Sequence, residues 1–275
     1  MRDGPLFIRR LPWYTRLPIK WMLVALCLLI VSFPNPKLMF RHYSHARNPN
    51  ALIEPDSPAI QPLVEELRPL LSADLPPREA LKRVEKLVYE RVPYAWDWDL
   101  WWNCDYLPTV SEVMEKGKED CDGQALVAAS VLRRLGYQAE LVSDFAHVWV
   151  KTDQGELMSP GKSKAIVATE HGWSLEQGAV AQMLRVVPFG IAVFPLWREL
   201  AVLVAVWLLL LRRGGSAASN MAGLLLMLNG LLFIRVGAAH SWGRVGWAVW
   251  VGVINFVVGF TIVLAWPKIV GRKTT

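Results

Sequence analysis

Cysteine is scarce in this chain, with three residues among 275, and Cys27 lies inside an apolar run. So few cysteines, one of them in a membrane-like segment, exclude a small scaffold held together by disulfide bonds. Glycine (19 residues) and proline (18 residues) have no fixed period, which excludes collagen-like and low-complexity classes. The sequence contains neither an internal repeat nor a nucleotide-binding glycine pattern, so it does not indicate a transporter.

Charged residues make up only 20% of the chain, whereas hydrophobic residues reach 53% and the mean hydropathy is +0.26. This apolar content excludes an intrinsically disordered protein. The fraction of charged residues is nevertheless too high for a chain made only of membrane spans, so apolar and charged residues must lie in separate segments. The net charge is +6, but the basic residues cluster beside apolar runs. We therefore expect membrane lipid, and not nucleic acid, as a partner.

The N-terminal segment combines five basic residues and a single acid within its first twenty positions. An apolar run at 21–33 follows and ends at helix-breaking prolines. This run is short for a membrane span, which needs about 20 residues, unless Lys20 reaches back to the headgroups. A cleaved signal peptide is the alternative interpretation. Because no small-residue cleavage site follows the run, we interpret residues 1–36 as a basic cytoplasmic tail with a transmembrane anchor.

Three further apolar runs are predicted as membrane spans, at residues 189–211, 221–234 and 247–266. Basic residues follow the first and the last of them, which by the positive-inside rule places those ends in the cytoplasm. We therefore predict that 186–275 forms three transmembrane helices with a basic cytoplasmic tail, and that 40–185 forms an extracytoplasmic domain. The adjacent charges Arg198 and Glu199 are interpreted as a pair near the outer membrane interface and not as an ion pathway.

The segment 40–185 carries the patterns of a soluble α+β domain. Amphipathic helices are predicted after the capping residue Ser57 and from Pro77 to Arg91. An aromatic-rich loop follows, and then a short helix capped by Thr109 or Ser111. A nearly all-apolar helix is predicted at 124–135, followed by three short strands at 137–142, 147–152 and 156–159. These elements predict one helix packed on an antiparallel sheet.

Cys121 precedes the apolar helix, so it lies at a helix N-terminus. Unpaired main-chain amides and the positive end of the helix dipole favour the thiolate there, and the thiolate is the nucleophilic form. The neighbouring carboxylates of Glu119, Asp120 and Asp122 oppose this effect, because nearby negative charge raises the pKa of a thiol. The site therefore needs a positively charged partner.

His147 begins the second predicted strand, where its side chain can project toward the N-terminus of the helix. A Cys at a helix N-terminus and a His on the adjacent sheet form a nucleophile and base pair. In such a pair the imidazolium stabilises the thiolate and later protonates the leaving amine.

Three segments in order, Gly117–Ala125, Leu132–Ala139 and Ala146–Val150, resemble the transglutaminase-like superfamily. Tyr94 and the lead-in at 108–113 are also similar to that family's approach to its Cys. The resemblance covers roughly residues 80–162, about a third of the chain. It implies a papain-like core with a Cys, His and Asp triad in this chain order. From the sequence we predict no cofactor and no metal site.

Carried over from this resemblance, Cys121 is the nucleophile and His147 the general base. The family usually has an acid before a proline at the end of the strand after the His, and this chain has Ser159 followed by Pro160. Ser159 can accept a hydrogen bond from an imidazole, but it brings no negative charge. The turn residue Asp153 is expected to point away.

Other interpretations of these residues stay open. Without the resemblance, a disulfide between Cys104 and Cys121 weighs as much as a nucleophile. A zinc site from Cys104, Cys121 and His147 lacks the usual short ligand spacings. His42 and His45 are interpreted as solvated linker residues. The aromatic loop contains four tryptophans that can line a substrate groove, belong to the core or rest on the bilayer surface: Trp96, Trp98, Trp101 and Trp102.

The predicted function is acyl transfer at an amide bond of a protein or peptide by a multi-pass membrane protein. Water as the acceptor gives a cysteine protease or amidase, and an amine acceptor gives a crosslinking enzyme. Hydrolysis is favoured, since most bacterial-looking members of the resembling family are peptidases. The alternative is a binding or scaffold module that keeps the fold with little or no turnover, and Ser159 in the acid position supports it.

Overall fold

The computed structural model describes residues 13–71, 75–144, 147–160, 166–169, 172–175, 179–211, 216–239 and 246–270. Within this part the chain divides into two compact units. One unit is formed by residues 33–183, and the other by the residues before 33 together with those after 183. The basic residues on which the predicted sidedness depends lie largely outside the described residues: Arg2, Arg9, Arg10, Arg212, Arg213, Arg272 and Lys273.

The described chain is mostly helical. Its α-helices are α1 (Trp13–Ser32), α2 (Pro36–Ala46), α3 (Gln61–Leu67), α4 (Pro77–Arg91), α5 (Asp97–Leu100), α6 (Val110–Lys116), α7 (Cys121–Arg134), α8 (Ala179–Val193), α9 (Leu196–Leu210), α10 (Ala217–Ala238) and α11 (Trp247–Val270). Its strands are β1 (Ala139–Ser143), β2 (Val148–Thr152), β3 (Gly155–Leu157), β4 (Ile166–Thr169) and β5 (Gly172–Leu175). The strands form one antiparallel sheet in the order β3-β2-β1-β4-β5.

Helix α7 forms the centre of the 33–183 unit. Its sequence is apolar or small on almost every face, and its residues 122–132 are all buried. It packs against β1 and β2, whose register pairs Leu141 with Val150. The helix ends before Gly136, whose φ of +93° lies in the left-handed region that glycine adopts at low cost. The predicted arrangement of a helix on an antiparallel sheet is thus observed.

The helices around this centre follow from local sequence signals. α4 buries its apolar stripe, which includes Leu81, Val84 and Val88, as the period of its sequence predicts. α6 begins with a complete capping box between Thr109 and Glu112, in which each side chain satisfies a main-chain amide of the other residue. Both helices were predicted from the sequence, and they bring the chain to the N-terminus of α7.

Several local predictions for this unit need correction. The segment around His42 and His45 is helix α2 and not a linker, because Asn35 caps the helix and Pro36 begins it. The aromatic loop contains the short helix α5. The third strand ends at Leu157, two residues before its predicted end. Strands β4 and β5 extend the sheet beyond the three predicted strands.

The other unit contains two helices packed at very short range. A Cβ atom added to Gly230 of α10 would lie 2.6 Å from the carbonyl oxygen of Gly252 in α11, and one added to Gly252 would lie 2.7 Å from the oxygen of Gly230. Small residues at such crossings allow helix backbones to approach closely in a membrane. The amide of Asn255 also donates to Asn229 Oδ1 at 2.8 Å.

The apolar run at 189–211 is not one continuous helix. The chain bends by 104° between α8 and α9, at Pro195, which precedes α9. Arg198 and Glu199, interpreted from the sequence as an adjacent charge pair, also contact other residues. Glu199 accepts from Arg235 Nη1 of α10 at 2.5 Å, and the buried Arg198 lies over the rings of Phe194 and Trp197.

Two helices of the described chain, α10 and the 247–264 part of α11, are long and apolar enough to cross a membrane. Two further pairs of helices, each bent at a short break, pass the same test if the pair is counted as one span. With these pairs included, the described chain has up to four spans by length and composition. A membrane protein with two to four spanning segments is therefore compatible with this fold.

Candidate active site

Cys121 is the first residue of α7, which begins three residues before the predicted start at 124. Asp120 caps the helix, and its Oδ1 accepts the Asp122 N–H at 3.2 Å. The main-chain N–H of Val148 lowers the pKa of the Cys121 thiol. Val148 is the first residue of β2 and follows His147 directly.

The electrostatic surroundings of Cys121 disfavour its thiolate. Burial raises the pKa of the Cys121 thiol far above its usual value, and the Asp120 carboxylate raises it further. The Val148 amide lowers the pKa without outweighing these two effects. The neighbouring acids thus oppose the thiolate, as anticipated from the sequence, and burial adds to their effect.

The imidazole of His147 is fixed by a main-chain carbonyl. Its Nε2 lies 2.7 Å from the carbonyl oxygen of Met158, and its main-chain N–H donates to Asp144 Oδ1 at 2.9 Å. A carbonyl can only accept, so the contact requires the proton on Nε2. The neutral ring then keeps its lone pair on Nδ1, the nitrogen that can serve as a base.

Met158 provides this carbonyl from an unusual backbone conformation. Its φ of +57° lies in the left-handed region, which a residue with a side chain adopts at a cost of about 1–2 kcal/mol. Its N–H donates to Glu85 Oε1 of α4 at 2.9 Å. Sequence reasoning missed Met158 and Glu85. Met158 acts through its main-chain N–H and carbonyl, which leave no signature in a sequence, and Glu85 acts on that N–H.

Ser159, the residue assigned to the third position, follows Met158. Its Oγ donates to Glu156 Oε2 at 2.7 Å. The acceptor at His147 Nε2 is thus the Met158 carbonyl, one residue before the position that the resemblance pointed to.

Cys121 and His147 line the same cavity. Its volume is about 410 Å³, and its lining also includes Tyr89, Pro93, Tyr94 and Gln124. A larger depression of about 690 Å³ lies beside Arg133 and Lys151 and contains neither residue. The chemistry, and not the size, therefore identifies the smaller cavity as the candidate site.

The aromatic loop adjoins this cavity through Tyr94. The rings of Tyr94 and Trp96 meet edge to face at 5.0 Å, and Trp96 stacks on Trp98 at 4.7 Å. Trp101 instead donates its ring N–H to the buried Glu119 at 2.5 Å, and Trp102 is 62% exposed. The four tryptophans thus divide among different environments and do not form one cluster.

A group of acids lies beneath the Cys121 end of α7. Asp97, Asp120 and Asp122 each offer a carboxylate oxygen within 4.8 Å of the others. Burial raises the pKa of the Asp97 and Asp122 carboxyl groups well above the usual range, and the Asp120 charge adds to it. Sequence reasoning noted the acids beside Cys121 but did not connect them to Asp97.

The remaining sequence candidates lie elsewhere. His42 and His45 of α2 hold the main chain at Leu107, because His42 Nδ1 accepts its N–H at 3.1 Å and His45 Nδ1 lies 2.7 Å from its carbonyl oxygen. They are therefore not solvated linker residues. Cys104 and Cys121 are not joined by a disulfide bond.

Comparison with known proteins provides no assignment. No protein-family model and no curated protein matches the chain.

Proposed function

We propose that this protein is a membrane-bound, transglutaminase-like cysteine hydrolase or acyltransferase that acts on amide bonds of proteins or peptides. The observation that supports it best is the shared cavity, which is lined by both Cys121 at the N-terminus of α7 and His147 immediately before β2. The order of these residues along the chain and the resemblance of their flanking segments support the same assignment.

The proposed reaction proceeds in two stages. His147 Nδ1 takes the proton from the Cys121 thiol as the sulfur attacks the amide carbon, forming a carbon–sulfur bond and an oxyanion. Main-chain amides in the first turn of α7 stabilise that oxyanion. The carbon–nitrogen bond then breaks, and the leaving amine takes the proton from His147. Water, or an amine in a crosslinking reaction, attacks the thioester, and the thiol forms again.

Met158 and Glu85 act as positioning residues in this proposal. The Met158 carbonyl fixes the tautomer and the orientation of His147, and Glu85 fixes Met158 by accepting its N–H. These contacts orient the imidazole as a carboxylate does in a triad, although a carbonyl places less negative charge beside the ring. We therefore expect His147 to be a weaker base than a triad histidine that is paired with a carboxylate.

The proposed location is the cell membrane, with the 33–183 unit on the extracytoplasmic side. The support is a set of basic residues that flank the apolar runs, before residue 21, at 212–213 and after 267. By the positive-inside rule these segments remain in the cytoplasm.

One observation favours a second candidate, a binding or scaffold module with little turnover. The Cys121 thiol is partly buried and lies beside negative charge, so its pKa is raised. A thiol in that state is a poor nucleophile. The same cavity would then bind a peptide without cleaving it.

Thiol labelling of the full-length protein in detergent distinguishes the two candidates. The second-order rate of alkylation is measured separately at Cys121 and Cys104 by peptide mass spectrometry. An enzyme requires faster labelling at Cys121, and His147→Ala should slow it by about 10²-fold or more, as loss of a general base does. Cys104 provides the internal control. Equal rates at both cysteines, unchanged in His147→Ala, would refute the enzyme and support the binding module.

Turnover itself is measured with a generic unfolded protein as substrate. New α-amino groups report hydrolysis, and a fluorescent amine reports transfer to an acceptor. Both signals should disappear in Cys121→Ala.

A further inference from the structure

Each of the two helices of membrane-spanning length carries an asparagine near its middle. Asn229 lies near the centre of α10, and Asn255 lies near the centre of the 247–264 part of α11. The two side chains meet, because Asn255 Nδ2 donates to Asn229 Oδ1 at 2.8 Å. The two amides therefore lie at the same depth along their helices. In a bilayer, the hydrocarbon at that depth offers no hydrogen-bond partner.

This contact satisfies only part of the two amides. An asparagine amide has one oxygen acceptor and two N–H donors. Among the residues that the structure describes, no hydrogen bond engages Asn229 Nδ2 or Asn255 Oδ1. Asn229 is exposed and Asn255 is half-buried, so both amides reach the surface of this unit. A polar group without a partner is unfavourable in an apolar medium, so the pair favours a partner that supplies an acceptor to Asn229 and a donor to Asn255.

The surface around Asn229 is apolar and is not covered by α9. Met227 of α10 packs in a cluster with α9, and it lies two positions from Asn229, which places it on nearly the opposite face of the helix. On the side of Asn229, by contrast, Leu225, Leu232 and Val236 are 58%, 50% and 70% exposed. With Asn229, these positions are spaced by four, three and four residues. Such spacing is typical of a helix seam that packs against another helix.

We propose that the face of α10 and α11 centred on Asn229 and Asn255 binds a second copy of this chain in the membrane. The unused groups are complementary to each other, since Asn229 keeps its donors and Asn255 keeps its acceptor. A two-fold rotation about the membrane normal preserves depth, and the two amides already lie at one depth. The rotation therefore brings Asn229 Nδ2 of each copy to Asn255 Oδ1 of the partner copy, so that both contacts form together.

The resulting interface places two amides from each copy at the centre of the membrane, with α10 of one copy against α11 of the other. Hydrogen bonds between side chains favour helix association in membranes, and a polar residue within a seam of apolar residues fixes its register. An unrelated helix would need its own amide at that depth, whereas a second copy supplies it. The proposal depends on the membrane placement of α10 and α11 and not on any reaction at Cys121, so it is tested independently of the proposed enzyme.

The test is energy transfer between copies of the full-length chain in lipid vesicles. Copies fused at the C-terminus to a donor or an acceptor fluorescent protein are mixed, reconstituted and diluted with increasing amounts of lipid. The wild type should show saturable transfer with the dependence on acceptor fraction that a dimer gives. Asn229→Leu and Asn255→Leu should each weaken association by about tenfold or more, since either substitution removes both symmetry-related hydrogen bonds.

Thr261→Val is the matched control. Thr261 is also an exposed polar residue of α11, but its Oγ1 donates to the carbonyl oxygen of Val257 within the same helix at 2.7 Å. This variant should associate like the wild type. Circular dichroism of each variant should show unchanged helix content, which separates a loss of association from a loss of folding.

Mixing the two asparagine variants provides the decisive measurement. A copy with Asn229→Leu keeps Asn255, and a copy with Asn255→Leu keeps Asn229. A mixed pair therefore retains one of the two reciprocal contacts, whereas a pair of like variants retains none. Transfer between the two variants should exceed transfer within either one. The proposal is overturned if the wild type is monomeric, if both variants associate like the wild type, or if the mixed pair is no stronger than the like pairs.

Discussion

Replacing Glu85 with Ala is the most informative perturbation of this site. Glu85 lies on α4 and contacts Met158, whose N–H it accepts at 2.9 Å and whose carbonyl oxygen lies 2.7 Å from His147 Nε2. The substitution removes no group from Cys121 or His147. It therefore tests whether the orientation of the imidazole determines the reactivity of the thiol.

The expected magnitude follows from two contacts. A hydrogen bond to a charged group contributes about 1.5–3 kcal/mol, and Met158 needs that support because its φ is +57°. If Met158 relaxes, orienting His147 correctly costs the same free energy. The correctly oriented population then falls by about 10- to 150-fold. Glu85→Gln keeps an oxygen acceptor, and a neutral bond is about half as strong. We expect a slowing of about 3- to 10-fold for that variant.

The assay is the alkylation rate of Cys121 as a function of pH, with Cys104 as the internal reference. Glu90→Ala is the control variant, since Glu90 lies on the same helix and its side chain is 58% exposed. It should alkylate like the wild type. The melting temperature of each variant separates a local change of orientation from general destabilisation.

Combining the substitution with His147→Ala provides the decisive comparison. If Glu85 acts through the imidazole, Glu85→Ala should cause no further slowing once His147 is absent, so the effects should not add. Full additivity of the two substitutions would refute the positioning role. So would a Glu85→Ala protein with a lower melting temperature and an unchanged Cys121 rate.

Four further expectations follow from the described contacts. Gly123→Ala should lower stability by about 1–3 kcal/mol, as overpacking does, because its Cβ would lie 2.0 Å from Glu119 Cγ; a stabilised variant, as helix propensity alone predicts, would contradict this. Glu112→Gln should lower the melting temperature at neutral pH. Burial raises the pKa of Glu112, but hydrogen bonds from Thr109 and Arg41 outweigh it and lower the pKa overall. The stability that Glu112 contributes is therefore present above its unfolded pKa of about 4.3 and is lost as the pH falls through the folded pKa. A melting-temperature difference between variant and wild type that stays constant down to pH ~2 would show that the charge plays no part. Ser159→Ala should change the Cys121 rate by less than about threefold, since the Met158 carbonyl holds His147 and the loss of one neutral hydrogen bond is a small effect; a slowing as large as that of Glu85→Ala would return the orienting role to Ser159. A reporter fused after residue 100 should be active only outside the cytoplasm, and cytoplasmic activity would reverse the proposed topology.

Local sequence signals determined the elements that carry Cys121 and His147. The apolar composition of 124–135, the capping residues before α6 and the alternation within β1 are short-range patterns, and each fixes an element independently of the rest of the chain. The same holds for α10 and the 247–264 part of α11, which are predominantly apolar over 22 and 18 residues and so reach membrane-spanning length. These patterns made the cysteine at the N-terminus of α7 predictable.

Only the tertiary structure decided which groups meet around the site. The carbonyl of Met158 and the carboxylate of Glu85 reach His147 through main-chain atoms that every residue possesses, so no residue type marks them. Asp97 and Asp122 lie close together although 25 positions separate them in the sequence, and the charges of the two residues gave no sign of this proximity. Side-chain patterns thus report local structure, whereas long-range contacts and main-chain hydrogen bonds depend on how the elements pack.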